Sequence, residues 1–246
     1  MKNQKHHIYW FVFAIFAIGM CTVETNAQKL TIVAFGDSTT APRKNVVVYT
    51  KVLEDEFKQK DPDIRVINSG VPGNTTEIAR ERFEKDVLAH KPDVVIVQFG
   101  TNDAAVDVWK NPPETLSRVS KADYEKNMRG FITSIKKSGA KVILVTPAPT
   151  RWTDKLKEMY GKPPYDPKDV DGFNVILKDY VDIARRVAKD EGIRTVDLFA
   201  AYYKYDQQPG QKMDDLFLDG LHPNTAGQKI EAELLLKQLR KMKLGL

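Results

Sequence analysis

Gly36-Asp37-Ser38-Thr39 follows directly on the apolar run Leu30 to Phe35, and far downstream the chain carries Asp219-Gly220-Leu221-His222-Pro223. These two segments supply a nucleophile, a base and an orienting acid. A serine hydroxyl attacks poorly until an imidazole takes its proton, and the imidazole works best when a carboxylate holds its other nitrogen. The four histidines are His6, His7, His90 and His222. The first two lie in an N-terminal stretch with the features of a removable signal. His90 ends a helical stretch, Thr75 to His90, ahead of Lys91-Pro92, where the helix dipole favours a partly positive ring and proline stops the helix. His222 is therefore the candidate base. Pro223 disfavours helical backbone at His222, which places the Asp219/His222 pair in the approach to the last helix.

The elements that position these groups can be traced from hydrophobic periodicity. Apolar runs of strand length recur at Leu30 to Phe35, Ile64 to Asn68, Val94 to Phe99, Val142 to Thr146 and Ile193 to Asp197. Between and after them, helical periodicity covers Val46 to Lys58, Thr75 to His90, Asp123 to Lys137, Phe173 to Asp190 and Asn224 to Lys241. Such alternation predicts an α/β fold, a five-stranded parallel sheet with helices on both faces. Asn74 is positioned to cap the second helix, with Glu77 reaching back as in a capping box. Two connections, Ala104 to Ala122 and Ala148 to Gly172, exceed ordinary βα loops; they leave the carboxyl ends of strands, the rim where open α/β sheets bind ligands.

Ser38 follows the first strand, Gly73 the second, Asn102 the third, and His222 the region beyond the fifth, so all four converge on that rim. A nucleophile, two hydrogen-bond donors and a base on different strand ends are what acyl transfer requires. Each piece also has an ordinary structural role. Ser38-Thr39-Thr40 can form a turn, Pro72-Gly73-Asn74 suits a tight turn with positive φ, Asn102-Asp103 can cap a short helix, and Asp219 with His222 can be a solvated pair.

Four blocks in order make the chain resemble the SGNH hydrolases, the GDSL esterases and lipases: Gly36-Asp37-Ser38; Asn68-Ser69-Gly70-Val71-Pro72-Gly73-Asn74-Thr75; Gly100-Thr101-Asn102-Asp103; and Asp219-Gly220-Leu221-His222. The resemblance implies a flavodoxin-like three-layer sandwich, no metal and no cofactor. It implies that Ser38, Asp219 and His222 form the catalytic triad, and that the Ser38 and Gly73 backbone N–H groups with the Asn102 amide hold the oxyanion. A G-x-S-x-G elbow is absent around Ser38, and Asp219 and His222 stand only three residues apart, so the α/β-hydrolase layout is disfavoured.

Compartment and partners follow from the N-terminus and the charge. Lys2, Lys5, His6 and His7 precede an apolar stretch from Ile8 to Val23, and Thr25-Asn26-Ala27 ends on a small residue, a secretory signal pattern too short for a confident membrane span. The expected organisation is a signal peptide over 1–27 and one domain over 28–246, secreted or periplasmic, with no stable membrane insertion once the signal is gone. Cys21, the only cysteine, leaves with the signal, so the mature chain has no thiol nucleophile or cysteine metal site. A lipid anchor through Cys21 is the less favoured alternative, because Met20 is bulky where lipoprotein signals resemble one another in a small residue. Signal removal lowers the formal net charge only from +5 to +4. Basic residues are interleaved with acids, as in Arg80-Glu81-Arg82, which reads as a solvated helix face and not as a nucleic-acid stripe.

Export, aromatic residues on the rim loops (Trp109, Trp152, Tyr165) and the likeness of Gly36-Asp37-Ser38-Thr39-Thr40-Ala41 to the serine block of polysaccharide deacetylases point to an acetylated carbohydrate as substrate. Arg43 and Arg151 can meet an acidic sugar or form surface pairs, and no site role is assigned to them. The alternative within hydrolysis is a lysophospholipase or short-chain lipid esterase. Outside hydrolysis it is a non-catalytic flavin- or phosphate-binding module, against which Asp37 would repel a phosphate.

Overall fold

A computed structural model describes residues 30–242 and Leu244. The expected signal over 1–27 and Cys21 lie outside the described residues. Strands β1 (Thr31–Gly36), β2 (Arg65–Gly70), β3 (Val94–Gln98), β4 (Lys141–Val145) and β5 (Arg194–Val196) form one parallel sheet in the order β2-β1-β3-β4-β5. Successive side chains point to opposite faces of a strand, and both faces here are covered, which is why the central strands read as unbroken apolar runs. Val33, Phe35, Val95, Val97, Val142 and Leu144 meet α2 (Thr76–Asp86), α4 (Lys121–Lys137) and α6 (Leu177–Asp190). Their neighbours Ile32, Ala34, Val94, Ile96, Ile143 and Val145 meet α1 (Tyr49–Lys58), α7 (Leu198–Asp206) and α8 (Thr225–Arg240). The α/β architecture read from the sequence is the one observed. Chain order reverses across the β1/β3 neighbours, and the crevice at such a switch point, outside the strand carboxyl ends, is where this architecture binds ligands.

Local signals account for several shifted boundaries. The first helix starts at Tyr49 because Val48 is extended (φ −72°, ψ 153°) and serves as its N-cap. Thr75, not Asn74, caps α2: its side chain accepts from Ile78 N, while Asn74 Oδ1 accepts from Arg82 Nε at 2.6 Å. Glu77 does not reach back; it accepts from Arg80 and Asn127. The helix also breaks at Val87, leaving His90 at the end of a separate 3-10 turn, Leu88–His90. Periodicity alone does not show α5 (Asp154–Tyr160) or α7, whereas a short helix, α3 (Thr101–Ala104), does stand at Asn102-Asp103. The signal for α7 was present, since the Asp197 side chain accepts from Ala200 N as an N-cap ahead of Leu198-Phe199.

One acid is buried with neither carboxyl oxygen hydrogen-bonded. Glu231 of α8 is fully buried, and both its carboxyl oxygens lack a hydrogen-bond partner among the described residues, as do Gln98 Nε2 and Tyr202 OH. Burial pushes the Glu231 carboxyl up to about 8, with a smaller opposing pull from Gln98 and a further push from Asp37. A raised carboxyl keeps its proton in the folded state over a range where the unfolded chain has lost it. Its stability cost is absent below the ordinary value of 4.5 and grows as pH rises through about 8. Glu231→Gln, which fixes the neutral form, should therefore leave Tm nearly unchanged at pH ~5 and raise it by several degrees at pH ~9, on the order of a few kcal/mol. Thermal unfolding of both proteins across that range checks it; an unchanged Tm difference would place the ionised acid in the native core.

Candidate active site

Ser38 stands in the turn that follows β1, and His222 stands in the loop before α8. Their side chains meet, with His222 Nε2 at 3.0 Å from Ser38 Oγ. On the other side of the ring, Nδ1 lies 2.8 Å from Asp219 Oδ2 and 3.1 Å from Oδ1. An ionised carboxylate only accepts, so Nδ1 carries the hydrogen and Nε2 presents its lone pair to the serine hydroxyl. Asp219 also accepts from the backbone N–H groups of Leu221 (3.0 Å) and His222 (2.9 Å). Partial burial works against its charge, but the hydrogen bonds from His222 and Leu221 outweigh that and hold its carboxyl well below the usual range. The loop is pinned by Leu218 N donating to His222 O at 2.9 Å, by a bridge between Phe217 and Pro223, and by Arg151 N donating to Gly220 O at 2.8 Å. Gly220 has φ +84°, and a Cβ there would lie 2.2 Å from Arg151 O, so the turn admits only glycine.

Beneath the serine, Asp37 is buried, with Oδ1 accepting from Thr39 N (2.8 Å) and Thr39 Oγ1 (2.9 Å). Burial raises its carboxyl despite these bonds. The Thr40 hydroxyl donates to Gln98 Oε1 of β3 at 3.0 Å, and Thr39 Oγ1, whose one proton goes to the nearer Asp37, lies 3.2 Å from the same oxygen. From α8, Gln228 Nε2 donates to Thr39 O (2.8 Å), and its Oε1 accepts from Tyr49 N (2.7 Å). Asn68 Nδ2 of β2 donates to Thr40 O (2.6 Å), so two neighbouring strands and two helices fix the turn that carries Ser38.

The donors predicted for an oxyanion stand around the same point. Val71-Pro72-Gly73-Asn74 is a tight turn, with Asn74 N donating to Val71 O and Gly73 at φ +77°. Proline at the second place and a positive-φ glycine at the third are what a type II turn selects. Neither Ser38 N–H nor Gly73 N–H donates to a protein acceptor among the described residues. Asn102 Nδ2 donates to Asn74 O at 3.1 Å and, over a longer 3.3 Å, to Asp37 Oδ2, while its Oδ1 accepts from Arg118 Nη1. The Asn102-Asp103 pair does not cap its own short helix; Gly100 holds that place. Buried Asp103 instead accepts from Thr76 N at 2.8 Å and from Thr76 Oγ1 at 2.5 Å, tying the asparagine loop to the start of α2; burial lifts it to about 6.

Ser38, Gly73, Asn102 and His222 all face one cavity of about 610 Å³. Its far wall comes from the two long loops, which pack on each other through Val106, Val108, Leu156, Tyr160, Tyr165 and Phe173. Of the aromatics proposed to meet substrate, Tyr165 lines the cavity, with its hydroxyl accepting from Val106 N at 2.8 Å. Trp152 is stacked on Phe173 at 4.5 Å and donates to Asp169 O, so it anchors the loop. Trp109 is exposed and outside the cavity lining.

Several positioning residues escaped the sequence reading. Arg82, read as part of a solvated helix face, instead donates to Gly36 O (2.9 Å), Ser69 O (2.8 Å) and Asn74 Oδ1, with its guanidinium 4.7 Å above the Phe35 ring. It clamps the ends of β1 and β2 to the glycine turn. Arg118, which orients Asn102, is held by Asp107 at 2.6 Å. No periodicity marks such residues, because long-range partners define them.

The GDSL-like lipase/acylhydrolase family model matches residues 34–230. The chain is 33% identical over 218 residues to an uncharacterized lipoprotein, YqeF, of Bacillus subtilis (strain 168), a match covering 82% of this chain and 86% of that protein. It is 27% identical over 179 residues to an acetylxylan esterase of Geobacillus stearothermophilus, covering 72% of each. The crystal structure of a lipase/acylhydrolase from Enterococcus faecalis superposes with a TM-score of 0.65 at 27% identity, over 86% of this chain and 96% of that one.

Proposed function

This chain belongs to the GDSL-like lipase/acylhydrolase family and is a carboxylic ester hydrolase, and from that premise we propose that it is an exported serine esterase removing acetyl groups from carbohydrate through an acyl-enzyme. The observation that carries the mechanism is the hydrogen-bonded series Ser38–His222–Asp219 opening on a cavity with two uncommitted backbone N–H groups. Ser38 Oγ bonds to the ester carbonyl carbon as its proton passes to His222 Nε2, while Asp219 holds Nδ1–H and stabilises the imidazolium. The Ser38 and Gly73 N–H groups and the Asn102 amide take the oxyanion. Asn102 supplies the N–H now lent to Asp37, the longer of its two bonds. The C–O bond to the alcohol then breaks as His222 returns its proton to the leaving oxygen. Water repeats the sequence on acetyl-Ser38 and releases acetate.

Support for a carbohydrate ester comes from the acetylxylan esterase among the relatives, the serine block and the aromatic wall of the cavity. Export is supported by the signal pattern over 1–27 and by the lipoprotein name of the Bacillus relative, which also keeps an anchor through Cys21 in view. One observation favours a second reading: the cavity far exceeds an acetyl group and includes Ala104, Ala105, Phe173, Ile176, Leu177 and Leu221, a surface suited to a longer acyl chain, as in a lysophospholipase or lipid esterase. Release of acetate from acetylated xylo-oligosaccharides, assayed beside lysophospholipids and longer fatty-acyl esters, tests the two. Acetate release supports the proposal; turnover confined to long acyl chains contradicts it.

Asn102→Ala should lower kcat by ~10² to 10³ with KM little changed, because the amide is needed as charge develops on the carbonyl oxygen. Tm measured on the same preparation separates this from a structural role. A lowered Tm with kcat unchanged would remove Asn102 from the oxyanion site.

A further inference from the structure

The cavity that holds Ser38 and His222 is electrically one-sided. Its lining carries Arg43, Lys44 and Arg118 but no aspartate or glutamate. Arg118 is neutralised by Asp107. Arg43 and Lys44 have no acidic partner among the described residues; Arg43 makes only a long 3.4 Å approach of Nη2 to the Ser38 carbonyl oxygen. Arg151, the other arginine the sequence offered for an acidic ligand, behaves differently: it is paired with Asp214 at 2.6 Å and Asp171 at 3.3 Å. A partly buried guanidinium with no counter-charge, in a concave mouth beside the nucleophile, raises the local concentration of anions and offers a planar donor fork to a carboxylate.

Resting on the esterase reading above, we propose that Arg43 and Lys44 form a subsite for a carboxylate on the alcohol portion of the substrate, so that the preferred ester is an acetylated oligosaccharide containing uronic acid. The two cations line the cavity with Ser38, on the segment that follows the nucleophile turn. There they meet a sugar substituent near the scissile ester while the ester carbonyl oxygen faces the oxyanion donors. The subsite acts on ground-state and transition-state binding alike, so its contribution appears in KM more than in kcat.

The experiment compares acetate release from acetylated oligogalacturonides, acetylated neutral xylo-oligosaccharides of equal length, and a lysophospholipid. The expected result is a kcat/KM about tenfold higher for the uronate ester than for the neutral one, carried by KM. That ratio should shrink as ionic strength rises toward about 0.5 M. In the Arg43→Gln/Lys44→Gln double variant it should fall to near one. A ratio near one in the wild type, or a ratio that survives the double substitution, would overturn the subsite; a preference for the lysophospholipid over both sugar esters would overturn the carbohydrate-esterase reading instead. Binding to the Ser38→Ala protein by calorimetry supplies a readout that does not require turnover: deacetylated oligogalacturonide should bind more tightly than its neutral counterpart, and lose that advantage when Arg43 and Lys44 are replaced. If no carbohydrate ester is hydrolysed but this binding difference holds, the esterase assignment fails and the subsite stands. Equal binding of the two sugars overturns the subsite whatever the enzyme hydrolyses.

Discussion

Ser38→Ala is expected to abolish ester turnover, a loss on the order of 10⁶ in kcat, while leaving Tm within a degree or so of the parent. The size follows from what is removed. No other hydroxyl in the described cavity is hydrogen-bonded to an imidazole, so without Ser38 Oγ there is no acyl-enzyme route, and only orientation and the oxyanion donors remain. The fold should not notice, because Ser38 Oγ bonds only His222 Nε2 at 3.0 Å, whereas Asp37, Thr39 and Thr40 carry the bonds that hold the turn. Esterase assays and thermal unfolding on one preparation check both halves. A folded variant with near-native turnover would move the nucleophile elsewhere.

The second large effect is expected at His222. Replacing it with alanine removes the proton acceptor and should cost nearly as much as losing the serine. Combining it with Ser38→Ala should add almost nothing, because the two groups act as a unit. Asp219→Asn should be milder, on the order of 10⁴, since the imidazole remains but an NH2 donor in place of Oδ2 favours the wrong tautomer. Asp219 Oδ1 also closes the loop by accepting from Leu221 N and His222 N, bonds that an asparagine oxygen can keep, so this variant should lower kcat far more than Tm. Costs for His222→Ala and Ser38→Ala that multiplied in the double variant would show that the two residues work independently.

The parts of this molecule that were legible in its sequence are those that depend on near neighbours. Strand β1 is an apolar run because helices cover both faces of Val33 and Ile32, and a run of that kind declares itself. The Pro72-Gly73 turn is written in two residues with opposite backbone demands. Asp219 and His222, three apart beside a proline, required only local reasoning. Arg82 was misread for the converse reason: its sequence neighbours Arg80 and Glu81 are exposed, while its own partners, Gly36 O and Ser69 O, come from two strands. Asn74 reads as a cap because Thr75 and Asn74 are equally able acceptors one residue apart, and Arg82 decides between them. The burial of Glu231 is invisible in an amphipathic reading of α8, where a glutamate is expected to face solvent. Helix α5 reads as part of a long loop because a seven-residue helix gives too little periodicity to count.

Covalent capture tests the central claim most directly. A fluorophosphonate ester should modify the protein once, on the peptide carrying Ser38, with esterase activity falling in proportion to the modified fraction and no adduct on the Ser38→Ala protein. His222→Ala should react far more slowly, since its serine has no proton acceptor. Peptide mapping that finds activity lost with Ser38 unmodified, or Ser38 fully modified with ester turnover intact, would contradict the serine mechanism.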